Sequence, residues 1–169
     1  MNYLVILLRL LHVLGGVFWV GTVLALGLFV GPAAAANPQA GQAMMQYLVG
    51  KARISTWISA AAGVTMLAGA ILYWLDSDGF RSAWTTSGPG IGFALGAIAA
   101  AIGMALGVQV GRANKSLGSL ATQIKGQPSA EQAAELAALR AKLARLTPPN
   151  VIFLVLAAVL MAVARYLNF

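Results

Sequence analysis

Hydrophobic residues are concentrated in four long runs separated by shorter, more polar stretches. The runs cover residues 3–31, 52–75, 89–111 and 149–166. An α-helix needs roughly 20 apolar residues to cross about 30 Å of hydrocarbon, and each run is close to that length. The pattern predicts an all-α membrane protein in which four transmembrane helices form one bundle, a single transmembrane domain over residues 1–169. The first helix is predicted to end at Gly31-Pro32, a pairing that stops a helix.

The stretch between the third and fourth runs predicts a helical hairpin over residues 112–147. Its first arm continues the third run, with apolar residues at helical spacing: Leu117, Leu120 and Ile124. Ser129 and Gln132 have the spacing of a capping box, which starts the second arm. That arm carries a seam of leucines: Leu136, Leu139, Leu143 and Leu146. Thr147-Pro148-Pro149 is predicted to end the hairpin before the last span begins.

One face of the first run mixes apolar residues with the only histidine of the chain. At steps of three or four residues it presents Val5, Arg9, His12, Gly16, Trp19 and Val23. Ionisable side chains inside a span normally face protein, a cavity or a cofactor, because lipid solvates them poorly. We therefore expect this stripe to face inward.

The third run carries small residues at four-residue spacing along one side. They are Gly88, Gly92, Gly96, Ala100, Gly103, Gly107 and Gly111. Small residues let the backbones of two membrane helices approach closely. The stripe is predicted to pack against another span, a second protomer or a flat cofactor. A homo-oligomer or a larger membrane complex is expected to form through Gly92, Gly96, Gly103 and Gly107.

Composition and charge support a membrane location. Hydrophobic residues make up 60% of the 169 residues and charged residues 9%, against about 25% charged in a soluble domain. The net charge of +7 lies beside the spans, which indicates orientation in a bilayer, and no nucleic-acid partner is expected. Because the chain has no cysteine, it can form neither disulfides nor thiolate metal sites.

Lysine and arginine predict the orientation. One side of the predicted bundle holds Lys51, Arg53, Arg112, Lys115, Lys125, Arg140, Lys142 and Arg145. The other side holds only Arg81 and Arg165, with Arg9 near that end of the first span. The positive-inside rule then places the hairpin in the cytoplasm and both termini outside.

His12 is the candidate ligand of a b-type haem. Its imidazole would bind the iron, with Met66, Met161 or the His12 of a symmetry-related copy at the other axial position. Arg9 would neutralise the propionates, Gly16 would leave space for the ring, and Trp19 would pack on its edge.

A simpler alternative needs no cofactor. A lone histidine in a membrane helix is often a packing residue held by a hydrogen bond, Arg9 can reach the surface, and methionines often fill cores. A bond from the His12 ring to a neighbouring backbone oxygen, with ordinary side chains around it, would favour this alternative.

Arg9-x-x-His12, Trp19-Val20-Gly21 and Pro32-Ala33 resemble the first helix of a group of small bacterial membrane proteins that includes the copper-resistance protein D family. The spacing of His12 and Trp19 also resembles the HemJ-type membrane protoporphyrinogen oxidases, which are haem proteins. The resemblance covers about 30 residues and implies a place in the bacterial inner membrane and a haem-binding role for His12. The later spans offer no second histidine and no buried lysine, which speaks against the oxidase activity.

Three functions remain open from the sequence. The first is haem binding for electron transfer or haem handling, and the second is a non-catalytic subunit that packs in a larger membrane complex. The third, a transporter, is the least supported because the spans contain no acidic residue within the membrane.

Overall fold

A computed structural model describes residues 3–124 and 126–169, and within these ranges the chain is helical with no strand. Its helices are α1 Tyr3–Ala36, α2 Pro38–Gln46, α3 Ile54–Asp76, α4 Gly88–Gln123 and α5 Ala130–Val163, the last followed by a 3-10 turn, Ala164–Tyr166. Four of them, all but α2, are long and apolar enough to cross a membrane. The prediction of four helices with the length and hydropathy of membrane spans is confirmed. Lys125, one of the cations used for orientation, lies outside the described residues.

The prediction that the first helix ends at Gly31-Pro32 is wrong, since α1 continues to Ala36. The reason is a π-helical turn, Leu26–Val30, in which the Gly31 amide donates to the Leu26 carbonyl five residues back. This wider turn precedes Pro32, which then falls in the first turn of the resumed α-helix, where the missing amide costs no hydrogen bond.

The prediction that Thr147-Pro148-Pro149 ends the hairpin is also wrong. α5 runs unbroken from Ala130 to Val163 through both prolines, so the second arm and the last span are one helix. The prolines remove amide donors for the carbonyls of Ala144 and Arg145, and both of these residues are exposed. Such loss is tolerated in membrane helices where neighbouring groups re-satisfy the freed carbonyls.

The start of α5 agrees with the prediction. The Ser129 side chain accepts from the Gln132 amide, and the Gln132 side chain accepts from the Ser129 amide, which completes the capping box. The predicted seam is partly buried at all four leucines, and Leu120 of α4 is buried. The leucine side of each extension is therefore at least partly covered.

The spans form two antiparallel pairs, α1 with α3 and α4 with α5, and each pair makes far more contacts within itself than with the other. In the second pair the glycine stripe of α4 packs along α5. The facing pairs are Gly92 with Ala164 and Leu167, Gly96 with Met161, Gly103 with Leu154, and Gly107 with Asn150. The space beside the glycines expected to mediate an oligomer is thus occupied by α5 of the same chain.

Trp19 of α1 joins the two pairs. Its side chain is 4% exposed and lies in a buried cluster with small residues of the other helices. The cluster consists of Trp19, Ala62 of α3, Ala99 and Ala100 of α4, and Leu154 and Ala157 of α5. A single large ring therefore fills the space where all four spans meet.

Candidate functional site

His12 lies between α1 and α3. Its Nδ1 is 2.8 Å from the Thr65 carbonyl oxygen, the distance of a hydrogen bond in which the ring nitrogen donates. The imidazole rests on Gly69, where an added Cβ would lie only 2.7 Å from Cε1 and 2.8 Å from Nδ1. Glycine at position 69 thus makes the room in which the ring reaches the backbone of α3.

Thr65 is held from the other side by the glycine pair of α1. A Cβ added at Gly15 would lie 2.7 Å from the Thr65 Oγ1 atom, and one at Gly16 would lie 3.6 Å from Cγ2. Thr65 is 7% exposed, and its Oγ1 has no hydrogen-bond partner among the described residues. His12, Gly15 and Gly16 therefore form one notch on α1 that holds Thr65.

The predicted stripe faces inward except at Arg9. Trp19 is buried and His12, Gly16 and Val23 are partly buried, whereas the Arg9 side chain is exposed. No ion pair joins Arg9 to an acidic side chain in the part of the chain that the structure describes. Arg9 lies two turns from the start of α1, so its long side chain can reach the interface.

The two methionines have contacts in different parts of the bundle. Met66 packs against the buried cluster around Trp19. Met161 lies on Gly96, where its Sδ would be 3.3 Å from an added Cβ, so its sulfur is used between α4 and α5. The three residues expected to bind one haem therefore each contact a different part of the structure: His12, Met66 and Met161.

A haem needs axial ligands and a slot for a flat ring. His12 could supply one ligand, because the Nδ1 hydrogen bond leaves Nε2 as the free ring nitrogen, as in metal-binding histidines. Two clefts on the described residues lie elsewhere, one lined by Arg53, Thr56, Trp57 and Ala60 and the other by Lys115, Leu120 and Glu135 among others. No group of three or more His, Cys, Asp or Glu side chains that could hold a metal ion occurs among the described residues. Haem binding through His12 therefore stays a prediction.

Sequence reasoning did not identify Thr65 and Gly69 as the partners of His12. The available signal was their four-residue spacing, which puts a hydroxyl residue and a glycine on one face of the second span. The pairing itself depends on how α1 and α3 align, and no local pattern specifies that alignment.

Asn150 of α5 was also missed. It is 2% exposed, its Nδ2 donates a long 3.4 Å bond to the Gly103 carbonyl, and its Oδ1 has no partner among the described residues. A buried acceptor without a partner costs free energy. Asn150 therefore lies in the helix interface with one half of its amide unsatisfied.

We expect Asn150→Leu to leave the free energy of unfolding unchanged or to raise it by about 1 kcal/mol, since a side chain of similar size replaces an unsatisfied amide. Asn150→Asp is the matched comparison and should lower it, because it buries a carboxyl group. Thermal unfolding of both variants in detergent measures the difference. A loss of stability in Asn150→Leu as large as that in Asn150→Asp would show that the amide is fully satisfied.

Searches against known protein families, curated proteins and solved structures find no match to the chain. The class of the protein is therefore defined by its fold, a bundle with four helices long and apolar enough to cross a membrane. The resemblance of the first helix to copper-resistance and HemJ-type proteins stays a prediction.

Proposed function

We propose that the chain is a small non-catalytic subunit that packs in a larger complex of the bacterial cytoplasmic membrane. The observation that carries this is the use of His12, the only ionisable group on the inward face of α1, to bind the backbone of α3 at Thr65. Through Nδ1, His12 thus holds two helices of the chain together. No group of three or more His, Cys, Asp or Glu side chains that could hold a metal ion occurs among the described residues.

The positive-inside rule supports the proposed orientation. The cations near the ends of α4 and α5 where these helices join, together with Lys51 and Arg53 before α3, belong on the cytoplasmic side. Both termini and the loop that contains Arg81 would then lie outside, and the packed extensions of α4 and α5 would form the cytoplasmic hairpin.

α1 offers the surface for a partner. Of its first 23 residues only Leu8 and Trp19 are buried, so most of its apolar face is uncovered. Val17 is 67% exposed and Leu14 is 65% exposed. The same face carries Gly21, around which no atom lies within 4 Å of an added Cβ, so a second helix could approach it closely.

Site-directed photocrosslinking in native membranes tests the subunit proposal. A photoreactive residue at position 17 of α1 is expected to give a discrete protein adduct, while the same residue at Ile152 of α5, which is 62% exposed, is expected to react mainly with lipid. Extraction in mild detergent should then give a particle much larger than the 17.4 kDa chain. A lone monomer, with no protein adduct at position 17, would refute the proposal.

A second candidate is a haem b held between two copies of the chain. The observation in its favour is the Nδ1 hydrogen bond to Thr65, which fixes the tautomer that leaves Nε2 able to bind a metal. In a dimer whose twofold axis is normal to the membrane, both His12 rings lie at the same depth. Two such rings could supply both axial ligands.

His12→Ala separates the two candidates. If His12 only holds α1 to α3, the variant is expected to lose about 1 kcal/mol of stability, the size of one hydrogen bond in a membrane protein, and its visible spectrum should match that of the parent. Thermal unfolding and absorption spectra of the purified proteins measure both effects. Val13→Ala is the control, since Val13 is the neighbouring residue and is 56% exposed. A Soret band that is present in the parent and in Val13→Ala but lost in His12→Ala would select the haem.

A further inference from the structure

A groove opens at the start of α3, where the span begins. Arg53, Thr56, Trp57 and Ala60 line it, and its volume is about 190 Å³. Thr56, Trp57 and Ala60 share one face of α3, and Arg53 directly precedes the first residue of the helix. Since the groove lies at the end of a span, it lies at a membrane–water interface in either orientation of the chain.

The groove carries a cation that no acidic group neutralises. Arg53 is exposed, and Lys51 lies two residues before it. Two of the four acidic residues, Asp76 and Asp78, lie at the opposite end of α3, and the other two lie on α5. Among the described residues no carboxylate lies within 4.0 Å of Arg53, so its guanidinium is available to an anion.

The backbone at Arg53 is also unusual. Its φ of +51° is in the left-handed region, which residues other than glycine adopt rarely. The π-helical turn Tyr47–Lys51 ends just before it, and α3 starts just after it at Ile54. Arg53 thus lies at the corner between these two helical segments.

Below the groove, the same side of α3 is apolar and uncovered. Trp57, Val64, Leu67 and Ile71 are all exposed. From residue 57 to residue 71 the helix rises about 21 Å, which is more than the roughly 15 Å of hydrocarbon in one leaflet. An exposed indole near the interface is typical of side chains that lie beside lipid headgroups.

We propose that this groove binds an anionic glycerophospholipid. The phosphate lies against the guanidinium of Arg53 and the hydroxyl of Thr56, and an acyl chain follows Trp57, Val64 and Leu67 along α3. Two neighbouring cations without an acidic partner favour a headgroup with net negative charge over a zwitterionic one. The apolar strip favours a lipid over a free phosphate ion.

Native mass spectrometry of the full chain in detergent, with equal amounts of phosphatidylglycerol and phosphatidylcholine, tests the proposal. The parent is expected to retain phosphatidylglycerol preferentially. Arg53→Gln is expected to reduce that preference about five-fold, the effect of one cation near a membrane surface. Arg140→Gln, which removes an exposed cation of α5 that does not line the groove, is expected to leave the preference unchanged.

Arg53→Gly is a second variant that tests the same contact if Arg53→Gln does not fold. Glycine adopts a positive φ at no steric cost, so Arg53→Gly is expected to fold at least as well as the parent while losing the lipid preference. Equal retention of the two lipids by the parent would overturn the proposal. So would an equal loss in Arg140→Gln and Arg53→Gln, or displacement of the lipid by inorganic phosphate alone.

Discussion

Trp19→Ala is expected to lower the free energy of unfolding by about 3 kcal/mol, the largest loss from a single truncation in the chain. The ring is 4% exposed and lies where all four spans meet, against alanines that cannot move in to fill its place. Truncating a buried tryptophan in a soluble core costs about 3–5 kcal/mol, and part of that is transfer from water. The loss here lies at the low end, because lipid is already apolar and mainly packing is lost.

Trp74→Ala is the matched control for this substitution. Trp74 is 54% exposed at the end of α3, and its ring lies beside Gly79 and edge-on to Phe80 at 5.2 Å between centroids. Its removal is expected to change the free energy of unfolding by less than about 1 kcal/mol. Thermal unfolding in one detergent, followed by circular dichroism, compares the two variants. Equal losses would mean that Trp19 does not join the helix pairs.

Gly103→Leu is expected to lower stability by about 2–3 kcal/mol. A Cβ at position 103 would lie 2.7 Å from the Cδ2 atom and 2.9 Å from the Cγ atom of Leu154, which is 1% exposed and has no free space to enter. The rest of a leucine side chain would therefore force α4 and α5 apart, and overpacking of this kind costs about 1–3 kcal/mol.

Gly111→Leu on the same helix is the control. It measures how leucine changes stability at a glycine position where there is no clash. No atom lies within 4 Å of a Cβ added at Gly111. Since leucine favours a helix over glycine by about 0.8 kcal/mol, this variant should be as stable as the parent or slightly more stable. Thermal unfolding of both variants tests the contrast. A neutral Gly103→Leu would show that α4 does not rely on its glycines to approach α5.

The sequence alone was sufficient to predict the number and the approximate positions of the spans. Long apolar runs have one stable form in lipid, a helix, so residues 52–75 predicted α3 to within two residues at either end. The helix ends at prolines were predicted wrongly. The rule that a proline ends a helix predicted helix ends at Pro32 and at Pro148. In the structure the first helix continues through a π-helical turn, and the second continues with the support of tertiary packing.

The candidate site was predicted only in part. Helical spacing indicated correctly that His12, Gly16 and Trp19 share the inward face of α1. It did not indicate which groups they meet, since that depends on the alignment of α1 with α3. The glycine stripe was likewise recognised as a packing surface, but α5 of the same chain turned out to fill it.

The division into two helix pairs has a consequence for how the chain is built during synthesis. Each pair consists of consecutive spans, and most contacts lie within a pair. Each pair can therefore assemble as soon as its own second span has been inserted. Only the step in which the two pairs come together, when the α4–α5 pair packs on the Trp19 indole of α1, requires residues from opposite ends of the polypeptide.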